Sequence, residues 1–448
     1  MRSFISRFGL VTLLFFGCVL QAHAEDSLPS EWKTSTHGNL ELDSTEYFES
    51  IPPTNSILET ARASVELNAR HNDWRFKLVP LAQVDPINNS NSERAWIDAQ
   101  AAYTQYQSNG WTLQLGMNTF TWGVTDGYNP LDVVSARRYQ EPLNPDKLGA
   151  PSVYFKKEID SVTFEGIYIP WQRKSVLPGN NSRWLPRQVF STTSVGDGTQ
   201  SAILNLPPDL QYDYDSDIDR DRALFNNFGG RIQITSIIPG LDASIEGFQG
   251  AATTPALDLH VSGTVTSLEQ PYVIDADPLI GLTPVYYRQN VYGGTLVYAN
   301  FGMIFRGEVA FTRVITRGLD LPGDSEQYVI GAERSVPIGK QDLTLVLQGA
   351  FARHSDPISN STTSLDRIFD RAILGGGRYA FSDSFNMMLS ALIDTESHGG
   401  FTHLEGNYTL TDAWKLGLAL DAIWGVAETP LGSYNRNERA IISAKTAF

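Results

Sequence analysis

Along most of the chain, apolar and polar residues alternate one by one. The clearest instance runs from Trp414 to Trp424, where Trp414, Leu416, Leu418, Leu420, Ala422 and Trp424 share one face and Lys415, Gly417, Ala419, Asp421 and Ile423 the other. A period of two is that of a β-strand, whose successive side chains point to opposite sides of the sheet. Thr60 to Arg70 repeats it, with Ala61, Ala63, Val65, Leu67 and Ala69 against Thr60, Arg62, Ser64, Glu66, Asn68 and Arg70. A charged face opposite an apolar one excludes a strand buried on both sides. Tryptophans at both ends of the apolar face 414–424 match the aromatic girdles that mark two membrane interfaces.

The same reading predicts strands near 39–48, 59–70, 73–84, 94–106, 110–118, 150–158, 160–170, 225–236, 241–250, 286–298, 302–314, 326–336, 340–353, 369–381, 384–395, 400–410, 413–425 and 435–448. The count is about eighteen, with about sixteen as the alternative, and both lie in the range of closed membrane barrels. Tight connections at His71-Asn72-Asp73, Ser108-Asn109-Gly110, Pro239-Gly240, Asn300-Phe301-Gly302, Ser382-Asp383 and Thr411-Asp412 alternate with longer ones at 119–149, 172–222, 251–284, 315–325, 354–367 and 426–434. Short turns on one side and long loops on the other place both termini in the periplasm and the long connections outside the cell. The predicted fold is therefore all-β, a transmembrane antiparallel up-and-down β-barrel. Residues 25–448 form a single domain, with an inward-folding loop near 119–149 and long extracellular loops near 172–222 and 251–284.

Composition supports this reading. The 448 residues are 42% hydrophobic with a mean hydropathy of -0.20, far too polar for a bundle of membrane helices. A barrel dilutes each lipid-facing residue with a water-facing neighbour, so its average resembles that of a soluble protein. A formal net charge of -16 argues against nucleic acid as a partner.

The two ends add a compartment. Arg2 and Arg7 precede an apolar run from Phe8 to Leu20, and Ala22-His23-Ala24 before Glu25 matches a signal-peptidase site, so residues 1–24 are expected to be cleaved. Cys18 lies inside that run, leaving a mature chain without cysteine. A lipoprotein reading around Cys18 is weakened by Phe15, where such signals carry Leu. At the other end, Ala440, Ile442, Ala444, Thr446 and Phe448 alternate with Ile441, Ser443, Lys445 and Ala447. A final strand ending in an aromatic residue resembles the assembly signal of bacterial outer-membrane barrels. The implied location is the Gram-negative outer membrane, and the implied partners are outer-membrane lipid, lipopolysaccharide and the barrel-assembly machinery, with a homo-oligomer possible.

With the apolar faces given to lipid, the lumen collects Arg62, Glu66, Arg70, Arg75, Lys77, Arg306, Glu308, Glu405 and Asp421, together with Asp98, Arg231, Glu246, Arg288, Arg353, Arg378, Lys415, Arg439 and Lys445. Such charges either pair across neighbouring strands or form a filter that steers solutes. The connection suited to entering the bore is Gly116-Met117-Asn118-Thr119-Phe120-Thr121-Trp122-Gly123-Val124-Thr125-Asp126-Gly127-Tyr128-Asn129-Pro130-Leu131-Asp132-Val133-Val134, followed by Arg137-Arg138 and Lys147 to Tyr154. This stretch resembles a group of largely uncharacterised porin-like Gram-negative outer-membrane proteins, which carry a strand, a Trp-Gly turn, an Asp and an Asn-Pro-x-Asp segment. The resemblance covers about positions 110–172 and departs at Gly116-Met117-Asn118, where relatives often carry a charge. It implies a barrel channel and supplies no substrate. Gly123, Gly127 and Pro130 suit a compact loop, and Trp122, Asp126, Asp132, Arg137 and Arg138 are the candidate constriction or solute-contact residues.

Other chemistry is sparse. The run Asp209 to Asp221 opens like a calcium loop, but counting from Asp213 puts Ile218 where an EF-hand needs Gly and Leu224 where it needs Glu, so no metal is expected. No linear catalytic motif occurs; Asp394, His398 and His403 are the best local candidates for a rim hydrolase, and an enzyme is not expected. No cofactor is implied. The sequence thus predicts a channel for passive passage of polar or amphipathic small solutes. One alternative is a facilitator for an apolar ligand lined by Trp122, Tyr128, Trp171 and Trp184, or a component of an export system. Another is a closed barrel that binds at the cell surface.

Overall fold

The computed structural model describes residues 32–448 apart from 53, 88–93, 186–201, 206, 208–210, 216–219, 270–271, 317–320, 356–364 and 427–428. The expected signal segment 1–24, and part of the acidic run from Asp209, lie outside the described residues. Eighteen antiparallel strands form one sheet, each hydrogen-bonded to its neighbours in chain order. The sheet closes because Lys33–Tyr47 pairs with Ile57–His71 on one edge and with Arg439–Ala447 on the other. Strand limits follow the alternation closely, as at Trp111–Asn118 and Trp414–Trp424. The first strand begins at Lys33 rather than near 39, because Lys33 to Gly38 pairs in register with Arg70 to Val65 although it carries no apolar alternation of its own.

Turn chemistry at the end that holds both termini explains how the strands reverse so tightly. Asn72, Asn109, Gly110, Asp160, Gly240, Phe301, Gly302 and Gly339 all have φ between 50° and 80°, the region that two-residue hairpins require. At these turns aromatic rings meet on the outer face: Trp74 with Tyr106, Trp111 with Phe155, and Phe381 with both Tyr379 and Phe385. Toward the opposite end Tyr292, Phe311, Tyr328 and Phe351 run ring to ring across four neighbouring strands. Between these belts the exterior is apolar, with Ile330 73% exposed and Ile245, Leu296, Leu347 and Leu418 also exposed. Such a surface is stable only against hydrocarbon, and closure leaves no strand edge for lipid to meet. Among the described residues no helix is long and apolar enough to cross a membrane.

The closing seam depends on Gly38. Its amide donates to the Phe448 carbonyl at 2.7 Å and its carbonyl accepts from the Phe448 amide at 3.0 Å. The Phe448 ring covers the place of the missing side chain, where a Cβ would collide with it.

Outside the membrane, the connections expected as loops at 172–222 and 251–284 carry a second sheet. Ala256–Ser267 and Tyr272–Val285 form a long hairpin, and Ala202–Asn205 and Gln211–Tyr214 add to its second strand in parallel. Ile280, Leu282 and Tyr212 bury against Leu185. Sequence reading missed these strands because their Asp, Gly, Thr and Pro content is that of loops, and their partners come from a distant part of the chain.

Candidate functional site

Residues 119–149 leave the wall at the end of Trp111–Asn118 and return at Ala150–Ile159. Between those points the segment is held by strands well around the barrel. Glu308, on Met303–Val314, accepts hydrogen bonds from the amides of Val124 (3.0 Å), Thr125 (3.4 Å) and Leu131 (2.9 Å), and from the Thr125 hydroxyl (3.0 Å). Gln348, on Gln341–His354, accepts from the Gly127 amide and donates to the Tyr128 carbonyl, each at 2.9 Å. The Tyr128 ring lies flat on Phe369 at 3.9 Å, and Leu131 packs with Val291 and Ala310. Trp122, only 3% exposed, packs with Phe248, Ile167 and Ile169, its ring edge 2.7 Å from where a Gly229 Cβ would stand. Within the segment Gly123 adopts a φ of +81°, and the Asn129 side chain occupies the space a Cβ there would need while donating to the Trp122 carbonyl at 2.7 Å.

A second set of bonds fixes the later part of the segment. Glu141 accepts from Arg439, which also donates to Asp421 at 2.7 Å and to the Tyr47 hydroxyl at 3.3 Å. Asp421 in turn meets His403 Nδ1 at 2.6 Å, so the cluster links four successive wall strands to the segment. Arg183, from the following long connection, stacks over Tyr47 at 4.3 Å and bonds the Arg436 carbonyl. Asp98 receives Arg173 through two nitrogens and Arg138 through one, all at 2.9 Å, and the Arg138 guanidinium lies 3.8 Å from the centre of the Trp96 ring. Burial lowers the pKa of Arg138 and of Lys147, against the raising effect of Asp98 on the first and Asp132 on the second; burial likewise lowers that of Arg183.

The five residues singled out from the sequence therefore occupy different settings. Asp132 binds Arg137 and Lys147 and is engaged within the segment. Arg138 is committed to Asp98, and Trp122 faces protein on all sides. Asp126 is the accessible one: its side chain is 52% exposed and meets Arg306, which also holds Glu333, at 3.3 Å. Of the wall charges, Arg62 reaches Asp146 at 2.8 Å and Lys77 reaches Glu66 at 3.1 Å. Glu405 lies 3.7 Å from His403 Nε2, while Arg70 and Arg75 stand exposed near the turn end of the bore.

Three expectations need correction. Arg288 and Arg353 do not face the lumen. Glu308 and Gln348 fix which residues of their strands point inward, and the register then puts Arg288 and Arg353 on the outward parity. Arg288 bonds the carbonyls of Ala223 and Asn226, and Arg353 lies over the Phe351 ring. The aromatic route through Trp122, Tyr128, Trp171 and Trp184 is not assembled, since Trp122 and Trp184 are buried in separate clusters and Tyr128 is stacked on Phe369. Asp394, His398 and His403 do not converge either. Asp394 caps its own turn through Ser397 and the Glu396 amide, His398 is exposed, and His403 is bound to Asp421. Sequence reading missed Gln348 and Glu141, the first because an uncharged lumenal residue carries no signal, the second because it sits among loop residues.

No protein family and no curated protein matches the sequence. Solved structures do resemble the fold. OccK2 (OpdF) of Pseudomonas aeruginosa, crystallised with glucuronate, aligns over 94% of this chain and 99% of its own at 10% identity, with a TM-score of 0.50. OccAB2 of Acinetobacter baumannii aligns over 93% and 98% at 10% identity with a TM-score of 0.49, and OccK3 (OpdO) of P. aeruginosa over 92% and 95% at 11% and 0.47. At these identities the likeness is one of fold. A closed barrel of this kind with an apolar exterior is an integral outer-membrane protein.

Proposed function

We propose that this protein is a passive outer-membrane channel for small polar or amphipathic solutes, with residues 119–149 setting its bore. The observation that carries the reading is the anchoring of that segment by Glu308, one carboxylate on a distant strand that accepts four hydrogen bonds. A barrel of about eighteen strands is wide enough to conduct water and ions, so its working diameter is decided by what lies inside it. A segment fixed at both Glu308 and Arg439 acts as a rigid constriction rather than a mobile lid. Asp126 and Arg306, of opposite sign and accessible, are the solute contacts in this reading. Cleavage after Ala24 and assembly through the strand ending at Phe448 complete it.

The test is single-channel current of the refolded full chain in a planar bilayer, beside a variant lacking 125–142. Steady current that rises on deletion supports a channel constricted by this segment. A silent parent overturns the channel, and unchanged current on deletion overturns the constriction.

A further inference from the structure

The turn end of the lumen carries three cations side by side. Lys33, Arg70 and Arg75 lie on neighbouring strands in direct register, Lys33 opposite Arg70 and Arg70 opposite Arg75. They share the lumenal face. One pair further along, that face holds Asn68 and Lys77, and Arg75 donates to Asn68 at 3.3 Å while Lys77 meets Glu66. All three are exposed, and among the described residues none has a carboxylate partner.

Many wall cations are paired instead, although Arg378 and Lys415 also lack an ion pair among the described residues. Lys77 is paired with Glu66, Arg231 with Glu165, Arg306 with Glu333, Lys445 with Glu41 and Arg439 with Asp421. The chain has 50 acidic residues against 34 basic ones, so carboxylates are not scarce. Like charges directly opposite in a sheet repel at a separation of about 5 Å. An arrangement of three repelling cations in a water-filled passage is stabilised when an oxyanion lies among them. At the opposite end one element, the hairpin 256–285, contains Asp258, Glu269, Asp275 and Asp277 and no Lys or Arg.

We propose that Lys33, Arg70 and Arg75 form an anion-collecting site at the periplasmic mouth, which takes the carboxylate or phosphate groups of solutes in transit. The proposal rests on the channel reading and adds a solute class and a polarity to it. Negative solutes concentrate at the periplasmic mouth.

The experiment is the reversal potential of the refolded full chain in a KCl gradient, with the triple variant Lys33→Glu, Arg70→Glu, Arg75→Glu and its neutral counterpart with Gln at each position. Lys157→Glu, a cation outside the bore over Trp111, is the control. The expected result is a chloride-to-potassium permeability ratio that falls about fivefold or more in the triple Glu variant, less in the Gln variant and not in the control. Citrate or inorganic phosphate added on the periplasmic side reduces current in the parent and the control but not in the triple Glu variant. A conducting triple variant with the parent's permeability ratio overturns the site and leaves the channel standing. A parent that does not conduct overturns the channel, and the site is then judged by calorimetry: citrate binding lost in the triple variant supports it, and equal binding or none overturns it.

Discussion

Thr125 bonds Glu308 through both its amide and its hydroxyl, across 183 residues of chain. With Val124 and Leu131 donating to the same carboxylate, one side chain replaces the water that would otherwise satisfy this stretch of loop backbone. Glu308→Ala strands three amides, each costing about 1–3 kcal/mol if it stays buried, while the Thr125 hydroxyl keeps the Tyr128 carbonyl at 2.6 Å. The segment therefore leaves the wall. Single-channel records should show higher mean conductance and more open-channel noise, with Glu308→Gln between the two because an amide keeps one acceptor oxygen.

Arg439 is buried and serves Asp421, Glu141 and Tyr47 at once. Removing it as Arg439→Met leaves carboxylates without their cation, a loss of about 3–5 kcal/mol for a buried pair. The urea midpoint of the refolded barrel should drop. Adding Asp421→Asn should recover part of the loss, because it removes one stranded charge; a double variant less stable than Arg439→Met alone would show that Asp421 is held chiefly by His403.

Gly38 admits the Phe448 ring across the closing seam. Gly38→Val places methyl groups where that ring lies, so the last strand cannot seat fully. The folded fraction, read from the heat-modifiable shift on a gel, should fall. It should recover in the pair Gly38→Val, Phe448→Ala if the clash is the cause.

Gly123 combines a φ of +81° with a Cβ position that the Asn129 side-chain oxygen already occupies. Gly123→Ala should cost about 1–3 kcal/mol locally through backbone strain and displacement of Asn129. The barrel itself should survive. Faster trypsin cleavage after Arg137 or Arg138, with unchanged heat stability, is the expected reading.

What the sequence determined was the wall. A period of two with apolar residues on one side, broken by Asn, Asp and Gly at tight turns, leaves a chain one way to satisfy every backbone group in lipid, and the strands Trp111–Asn118 and Trp414–Trp424 fall where alternation places them. Parity along a strand is a local property, but which side is lumenal is not, and Arg288 and Arg353 stand on the outward parity. The tertiary structure alone decided what those residues meet. Whether Asp132 contacts a solute or Lys147, whether Trp122 lines a path or packs under Phe248, and whether Arg353 faces water or a ring all depend on groups far apart in sequence and on strand register. The second sheet shows the same limit: Gln211–Tyr214 is a strand only because Tyr272–Val285 lies beside it. Alternation encodes which residues of a strand share a side; the partner waiting there is set by closure of the barrel.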